Sequence, residues 1–431
     1  MVALWCTLGA FGLILVLARL KVPLAAAILA GAAAEGLLLG LRPAEMAGAA
    51  AAGAIRPATV SLVVVTILLL ALSQTMRAGG QLERIVDLAR QLLRRPAIAM
   101  AVLPALIGLL PMPGGALFSA PMVESAAGKE ARDRGMLSAV NYWFRHIWEH
   151  WWPLYPGVIL ATELTRSGLG TFIAFQVPLG LFMALGGLWI FRGSHPSLHA
   201  TAEPAAPGTT RKLLWATSTI WVILLVWAAA TAALRVLPEG LVGEDYRPVL
   251  RRYLPVLAGL LVSLAWTMRL NRLGRSDLAK ILTRASIYQL GILVLSVMVF
   301  QAVLAEVKAA PRIGQELTSL HVPVALVVAA LPFIAGLVTG LAIGVVGTSF
   351  PIVLGLVAAM PDGGSLRPYI ALAYAFGHLG QMMSPLHLCH VVSNQYFQTS
   401  FARVYRYIVP SAIITAALGA AYFLALRWVL P

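Results

Sequence analysis

The chain alternates long apolar runs with short polar breaks from end to end. Runs of the length that crosses hydrocarbon, about 17–25 residues, fall at 3–19, 22–40, 57–76, 136–162, 169–192, 213–235, 248–268, 284–305, 367–395 and 405–428. Two more apolar stretches, 97–125 and 324–360, are interrupted at their middles by "PMPGGALFSAP" and "IGVVGTSFP". Glycine and proline are tolerated in mid-membrane backbone where the freed amides face protein or a wet cavity. Both stretches are therefore expected to be re-entrant hairpins with tips near the bilayer centre, at Gly114, Gly115 and Ser119 and at Gly347, Thr348 and Ser349. An arm precedes each: "QLERIVDLARQLLRR" (81–95), apolar along one helical face, and the weaker "EVKAAPRIGQELTSL" (306–320). The first run, "MVALWCTLGAFGLILVLARLK", lacks a basic n-region and a small-residue cleavage site and reads as a retained helix.

The polar stretch 193–212 reads as a linker between two halves that resemble each other. "NYWFRHIWEHWWPL" (141–154) aligns without gaps to "AYAFGHLGQMMSPL" (373–386), pairing Tyr142 with Tyr374, His146 with His378, Glu149 with Gln381 and Pro153 with Pro385. Upstream, "LPALIG" from Leu103 pairs with "LPFIAG" from Leu331. A self-repeat of this length sets the fold. The expectation is an all-α polytopic membrane protein built from two inverted repeats, 1–192 and 213–431. Each repeat has five transmembrane helices plus one re-entrant hairpin, with broken helices at 136–162 and 367–395. Five crossings per half is an odd number, so the second half must enter the membrane upside down. Basic residues, richer on one side, place that side in the cytoplasm and both termini outside.

Composition sharpens this picture. The 431 residues are 60% hydrophobic and 11% charged, against about 25% charged in soluble proteins. The net charge of +15 would suggest nucleic acid in a soluble chain. Here the basic residues cluster at helix ends, so lipid headgroups are the expected partners, with no nucleic acid. Cys6 and Cys389 show no metal-ligand spacing, and no metal or cofactor is expected beyond a coupling ion.

The chemistry concentrates in the two aligned stretches. On a continuous helix, Tyr142, His146, Glu149 and Pro153 share one face, as do Tyr374, His378, Gln381 and Pro385. Ionisable groups inside a membrane face the bundle interior or water. His146 or His378 is suited to carry a proton, and an equally good reading is a structural pair of His146 with Glu149. Arg145 lies off that face and either attracts an anion or snorkels towards an interface. The four tryptophans of 141–157 suit an aromatic belt or a substrate lining. The prolines should interrupt both helices, leaving Trp152, Tyr155, Ser384, His387 and Asn394 beside exposed backbone ends. "HIWEH" also matches the inverted zinc-protease pattern, making an intramembrane zinc hydrolase using His146, Glu149 and His150 an alternative of another class.

The arm, the Gly/Ser-tipped hairpin and the proline-broken helix, twice over, resemble the ion transporter superfamily of gluconate, citrate and dicarboxylate permeases. "PMPGGALFSAP" and "SPLHLCHVVSNQYF" look closest to a prokaryotic integral-membrane family called domain of unknown function 401. The resemblance implies a multi-pass protein of the prokaryotic cytoplasmic membrane. It further implies a homodimer, an elevator mechanism and a substrate site at the hairpin tips and helix breaks. The Ser-Asn-Thr tips of dicarboxylate carriers are absent here. The functional expectation is a secondary active transporter for a small anionic organic solute, coupled to H⁺ or Na⁺. A lipid-phosphate or amphipathic-solute translocase of the same fold is the runner-up.

Overall fold

The computed structural model describes residues 2–93, 95–109, 115–128, 133–192, 206–236, 247–309, 312, 316, 323–358, 360 and 365–430. Among these, every regular element is helical. The first half runs α1 (Val2–Arg19), α2 (Leu24–Leu38), α3 (Pro43–Ile55), α4 (Pro57–Ala78), α5 (Gln81–Leu92), α6 (Pro96–Gly108), α7 (Ala116–Ala127), α8 (Arg134–Arg145), α9 (Pro156–Leu164) and α10 (Leu169–Gly187). The second half runs α11 (Thr209–Ala216), α12 (Ser218–Val236), α13 (Arg247–Leu270), α14 (Arg275–Leu282), α15 (Ala285–Glu306), α16 (Val324–Thr339), α17 (Ala342–Ala358), α18 (Leu366–Met383), α19 (Leu388–Tyr396) and α20 (Phe401–Val429). Proline sits at the first helical turn of α3, α4, α6 and α9, where its missing N–H has no partner to lose.

Among the described residues, seven helices are long and apolar enough to cross a membrane: α1, α4, α10 with its 3₁₀ extension, α12, α13, α15 and α20. The molecule is an integral membrane protein. Three of the ten expected spans are not continuous long helices. α2 has 15 residues, and 136–162 and 367–395 are each cut in two. Two short helices, α3 and α14, occupy stretches expected to connect spans. Proline at the first turn and Glu45 accepting from the Arg42 amide at 2.8 Å start α3. Gly53 then lets it lie against Ala302 and Met298 of α15.

The helices pair in a pattern that crosses between the halves. α4 packs against α13 and α14, while α15 packs against α2 and α3. α9 lies on α17, and α19 lies on α7. The first arm forms as expected: Leu82, Ile85, Val86 and Ala89 of α5 bury against Met76, Ala99, Leu103 and Ile107. Most of the second arm, and Gly114 of the first tip, lie outside the described residues.

Both apolar stretches with broken middles hold two helices packed on each other. α6 ends at Gly108 and α7 begins at Ala116, on either side of the expected break. The second break falls earlier than expected. α16 and α17 meet at Gly340, whose φ of +62° is the left-handed conformation that glycine adopts without cost. Gly347, Thr348 and Ser349 lie inside α17. The hydroxyls of Thr348 and Ser349 donate to the carbonyls of Gly344 and Val345 at 2.7 Å, and Gly347 makes room for Val297. Four residues back, a carbonyl is the nearest acceptor for a helical Ser or Thr, so these side chains are used locally. With 16 and 17 residues, each arm of this hairpin is about 24–26 Å long at helical rise. That is short of the roughly 30 Å hydrocarbon core.

Two glycines that the sequence alignment pairs make the same contact. A Cβ on Gly108 would collide with the carbonyl oxygen of Arg145, and a Cβ on Gly336 with that of Gly377. Arg145 and Gly377 are themselves aligned partners. Each hairpin thus touches its own half's broken helix backbone to backbone, a closeness that only small residues permit.

Candidate functional site

α8 ends at Arg145, well before Pro153. The cause is local. The Nδ1 of His146 lies 2.6 Å from the carbonyl of Tyr142, the acceptor its own amide would use in a continuing helix. A carbonyl only accepts, so Nδ1 carries the hydrogen. The His146 amide bonds instead to Trp143 at 3.2 Å. Residues 146–155 continue as a chain of turns until α9 begins at Pro156, so Pro156 restarts the helix rather than breaking it. The expected shared face of Tyr142, His146 and Glu149 therefore does not arise from one helix. In the second half α18 does carry Tyr374, His378 and Gln381, and the break is only 384–387, around Pro385.

The two breaks meet. Glu149 is 8% exposed, and its Oε2 accepts from Gln381 Nε2 at 2.7 Å. The Tyr142 hydroxyl donates to the carbonyls of Gln381 and Met382 at 3.3 and 3.1 Å. The Tyr374 hydroxyl donates to the carbonyl of Glu149 at 3.1 Å. Each half's tyrosine thus reaches the backbone at the other half's equivalent position. His146 Nε2 lies 3.9 Å from Glu149 Oε1, and His378 Nδ1 lies 3.8 Å from Oε2. His378 Nε2 points at the Met183 sulfur, 3.3 Å away.

A cavity of about 160 Å³ opens beside this junction. Tyr155, Pro156 and Gly157 line it from the start of α9, Leu341, Ala342 and Ile343 from the start of α17, and His387, Leu388 and Cys389 from the start of α19. Arg145, His146, Glu149 and Gln381 complete the polar wall, with Leu70 of α4 and Leu290 of α15 opposite. Three helix N-termini converge on one small space, so their unpaired amides and positive dipole ends make it suited to an anion. Arg145 is 3% exposed and its guanidinium packs on Gly115. It is held in the interior and does not snorkel to an interface.

Other expected residues sit elsewhere. His150 is buried edge-to-face on His378, ring centroids 4.1 Å apart, and outside the cavity lining. Without an α-helix over 146–150, the two histidines of "HIWEH" lose the spacing that the zinc-hydrolase reading needs. Trp152 and Ser384 are buried, and Ser384 Oγ accepts from the Leu386 amide at 3.2 Å. Ser119 lies within α7, close to its start. Asn394 accepts from Ser138 at 2.6 Å, and Asn141 donates to Ser393 at 2.8 Å, forming a second polar seam between α19 and α8. The tryptophans mostly act as packing struts: Trp143 donates to Met183 O at 2.9 Å and Trp148 to Ala105 O at 2.7 Å. In the sequence Cys389 is set aside for want of metal-ligand spacing, and His390 is not singled out. "HLCH", beginning two residues after Pro385, is the available signal.

The family model described as "Protein of unknown function (DUF401)" matches residues 11–203 and 248–426. No curated protein matches the chain. Among solved structures, the YdaH transporter of Alcanivorax borkumensis superposes with a TM-score of 0.53 at 16% identity, covering 89% of each chain. MtrF of Neisseria gonorrhoeae, whose structure is described as illuminating a class of antimetabolite efflux pumps, superposes with a TM-score of 0.53 at 11% identity. That match covers 90% of this chain and 85% of MtrF. These likenesses establish a shared fold.

Proposed function

The chain belongs to the DUF401 family, and from that premise we propose that it is a secondary active transporter of a small organic anion. The observation that carries this reading is the convergence of three helix N-termini and Arg145 on one cavity between the halves. Helix interruptions at mid-depth are how transporters with inverted repeats build solute sites, and YdaH and MtrF, whose fold the chain shares, are described as a transporter and an efflux pump. The crossed tyrosine bonds and the matched Gly108 and Gly336 contacts support two inverted repeats related by a pseudo-twofold axis near Glu149 and Gln381.

The proposed movement is of the elevator kind. Hairpins α6–α7 and α16–α17, the broken helices, α10 and α20 form the moving body, while α1–α4 and α12–α15 form the scaffold of a homodimer. The coupling ion is a proton. Glu149 stands among His146, His378 and His387, groups that exchange protons, and a protonated Glu149 would accept an anion beside it without repulsion. The cavity is smaller than the about 300–1,000 Å³ of drug-sized ligand sites, which favours a small carboxylate over an amphipath with an acyl tail.

A thermal-shift screen of small carboxylates and phosphates across pH, with and without sodium, tests the reading. The expected outcome is stabilisation by one class of small anion, stronger at acid pH and indifferent to sodium. Uptake of that anion into proteoliposomes should then follow an imposed pH gradient. Stabilisation by sodium alone, or by no anion at any pH, would overturn it.

A further inference from the structure

His146, His387 and Cys389 come together although 241 and 243 positions separate the first from the other two (387 − 146 and 389 − 146). One ligand atom of each lies within 4.8 Å of the others, and all three residues are buried. We propose that this cluster is a binding site for a soft transition-metal ion of the zinc class, set in the cavity wall and joining the two helix breaks.

The donor set argues for that ion. Thiolate and imidazole together select zinc or copper(I) over magnesium or calcium. Zinc bonds of about 2.0–2.1 Å to nitrogen and 2.3 Å to sulfur place two tetrahedral nitrogens and one sulfur about 3.3–3.6 Å apart. From separations within 4.8 Å, the cluster needs to close by about 1.5 Å at most, a side-chain adjustment. His146 is already oriented for the task. Its Nδ1–H donates to the Tyr142 carbonyl at 2.6 Å, which leaves the Nε2 lone pair facing inward. Histidine ligands in metal sites are fixed in this way, through a backbone or carboxylate acceptor on the other nitrogen.

Charge also balances. The ion displaces the Cys389 thiol proton to solvent, so the site gains a single net positive charge. Glu149 Oε1, 3.9 Å from His146 Nε2, offers an anionic oxygen beside the fourth coordination position, which otherwise opens to the cavity. An ionised Glu149 offsets the single positive charge that the ion adds. Because His146 belongs to one break and His387 and Cys389 to the other, a bound ion pins the two halves and fills part of the solute space. Binding itself does not depend on the transport reading.

Cadmium titration of the full chain in lipid nanodiscs, without solute, tests the site by thiolate-to-metal charge-transfer absorbance. The wild-type chain and Cys6→Ser should each bind one Cd²⁺ per chain with the band, and Zn²⁺ should displace it. Cys389→Ser should lose the band while remaining monodisperse with unchanged circular dichroism. His387→Asn keeps the thiol and should weaken Cd²⁺ binding by about tenfold or more, the scale on which metal sites respond to a disturbed ligand shell. Absence of the band in the wild type, its survival in Cys389→Ser, or unchanged affinity in His387→Asn would each overturn the proposal.

Discussion

Tyr142 and Tyr374 each donate a hydroxyl to a backbone carbonyl at the other half's break, so each tyrosine stabilises a segment far from it in sequence. Tyr374→Phe removes one buried hydrogen bond and is expected to cost about 0.5–1.5 kcal/mol, more if the Glu149 carbonyl is left unsatisfied. Thermal denaturation in one detergent or nanodisc system measures it. Glu149→Gln preserves shape and removes the titratable carboxylate. Under the transport reading it should leave anion binding intact and make proteoliposome uptake insensitive to an imposed pH gradient. At this scale the sequence was informative about residue type. Tyr142, His146, Glu149, Tyr374, His378 and Gln381 all meet, because ionisable groups are too costly to face lipid. It was uninformative about partners that the chain brings in from afar. Cys389 has His387 two residues before it, but the closeness of either to His146 depends on how two breaks stack.

Among the helices, the close backbone contacts decide what can change. Gly108→Ala or Gly336→Ala would drive a Cβ into a carbonyl that belongs to a neighbouring helix, a rigid obstacle. Each is expected to destabilise by about 1–3 kcal/mol, the usual cost of overpacking. Gly9 and Gly12 of α1 have nothing within 4 Å of the added atom. Alanine there should be neutral or stabilising by up to about 1 kcal/mol, and parallel melting curves separate the two pairs. A polar clasp also crosses between elements. Arg252 of α13 bonds Glu163 of α9 and the Thr162 carbonyl, each at 2.9 Å, and Tyr253 donates to Glu163 at 2.6 Å. Because the clasp is partly exposed, Arg252→Ala should cost about 1 kcal/mol or less in stability. Its larger effect should be faster amide exchange at 162–167, where the clasp ties the end of α9 to α13. The hairpins and α5 were legible from glycine, proline and amphipathic spacing. The end of α8 was not, because a histidine side chain replaces a backbone donor there, and no proline marks the place. α3 escaped notice because an Ala/Gly-rich stretch carries little periodic contrast.

Over the whole molecule, residues that the alignment pairs recur in matched contacts, Gly108 with Gly336 and Tyr142 with Tyr374. What a linear comparison does not reveal is the crossing of those contacts. The first half's tyrosine finds its acceptor in the second half, α9 finds its seat on α17, and α19 on α7. During synthesis the first half therefore enters the membrane with Glu149, His146 and an interrupted backbone still lacking their counterparts, in a solvent that offers none. It must persist as an unfinished bundle until α18 and α19 follow, which makes early release or truncation fatal in a way that it is not for independently folding domains. Fragments 1–200 and 201–431 made separately should each be cleared by quality-control proteases, and made together they should assemble into one extractable species.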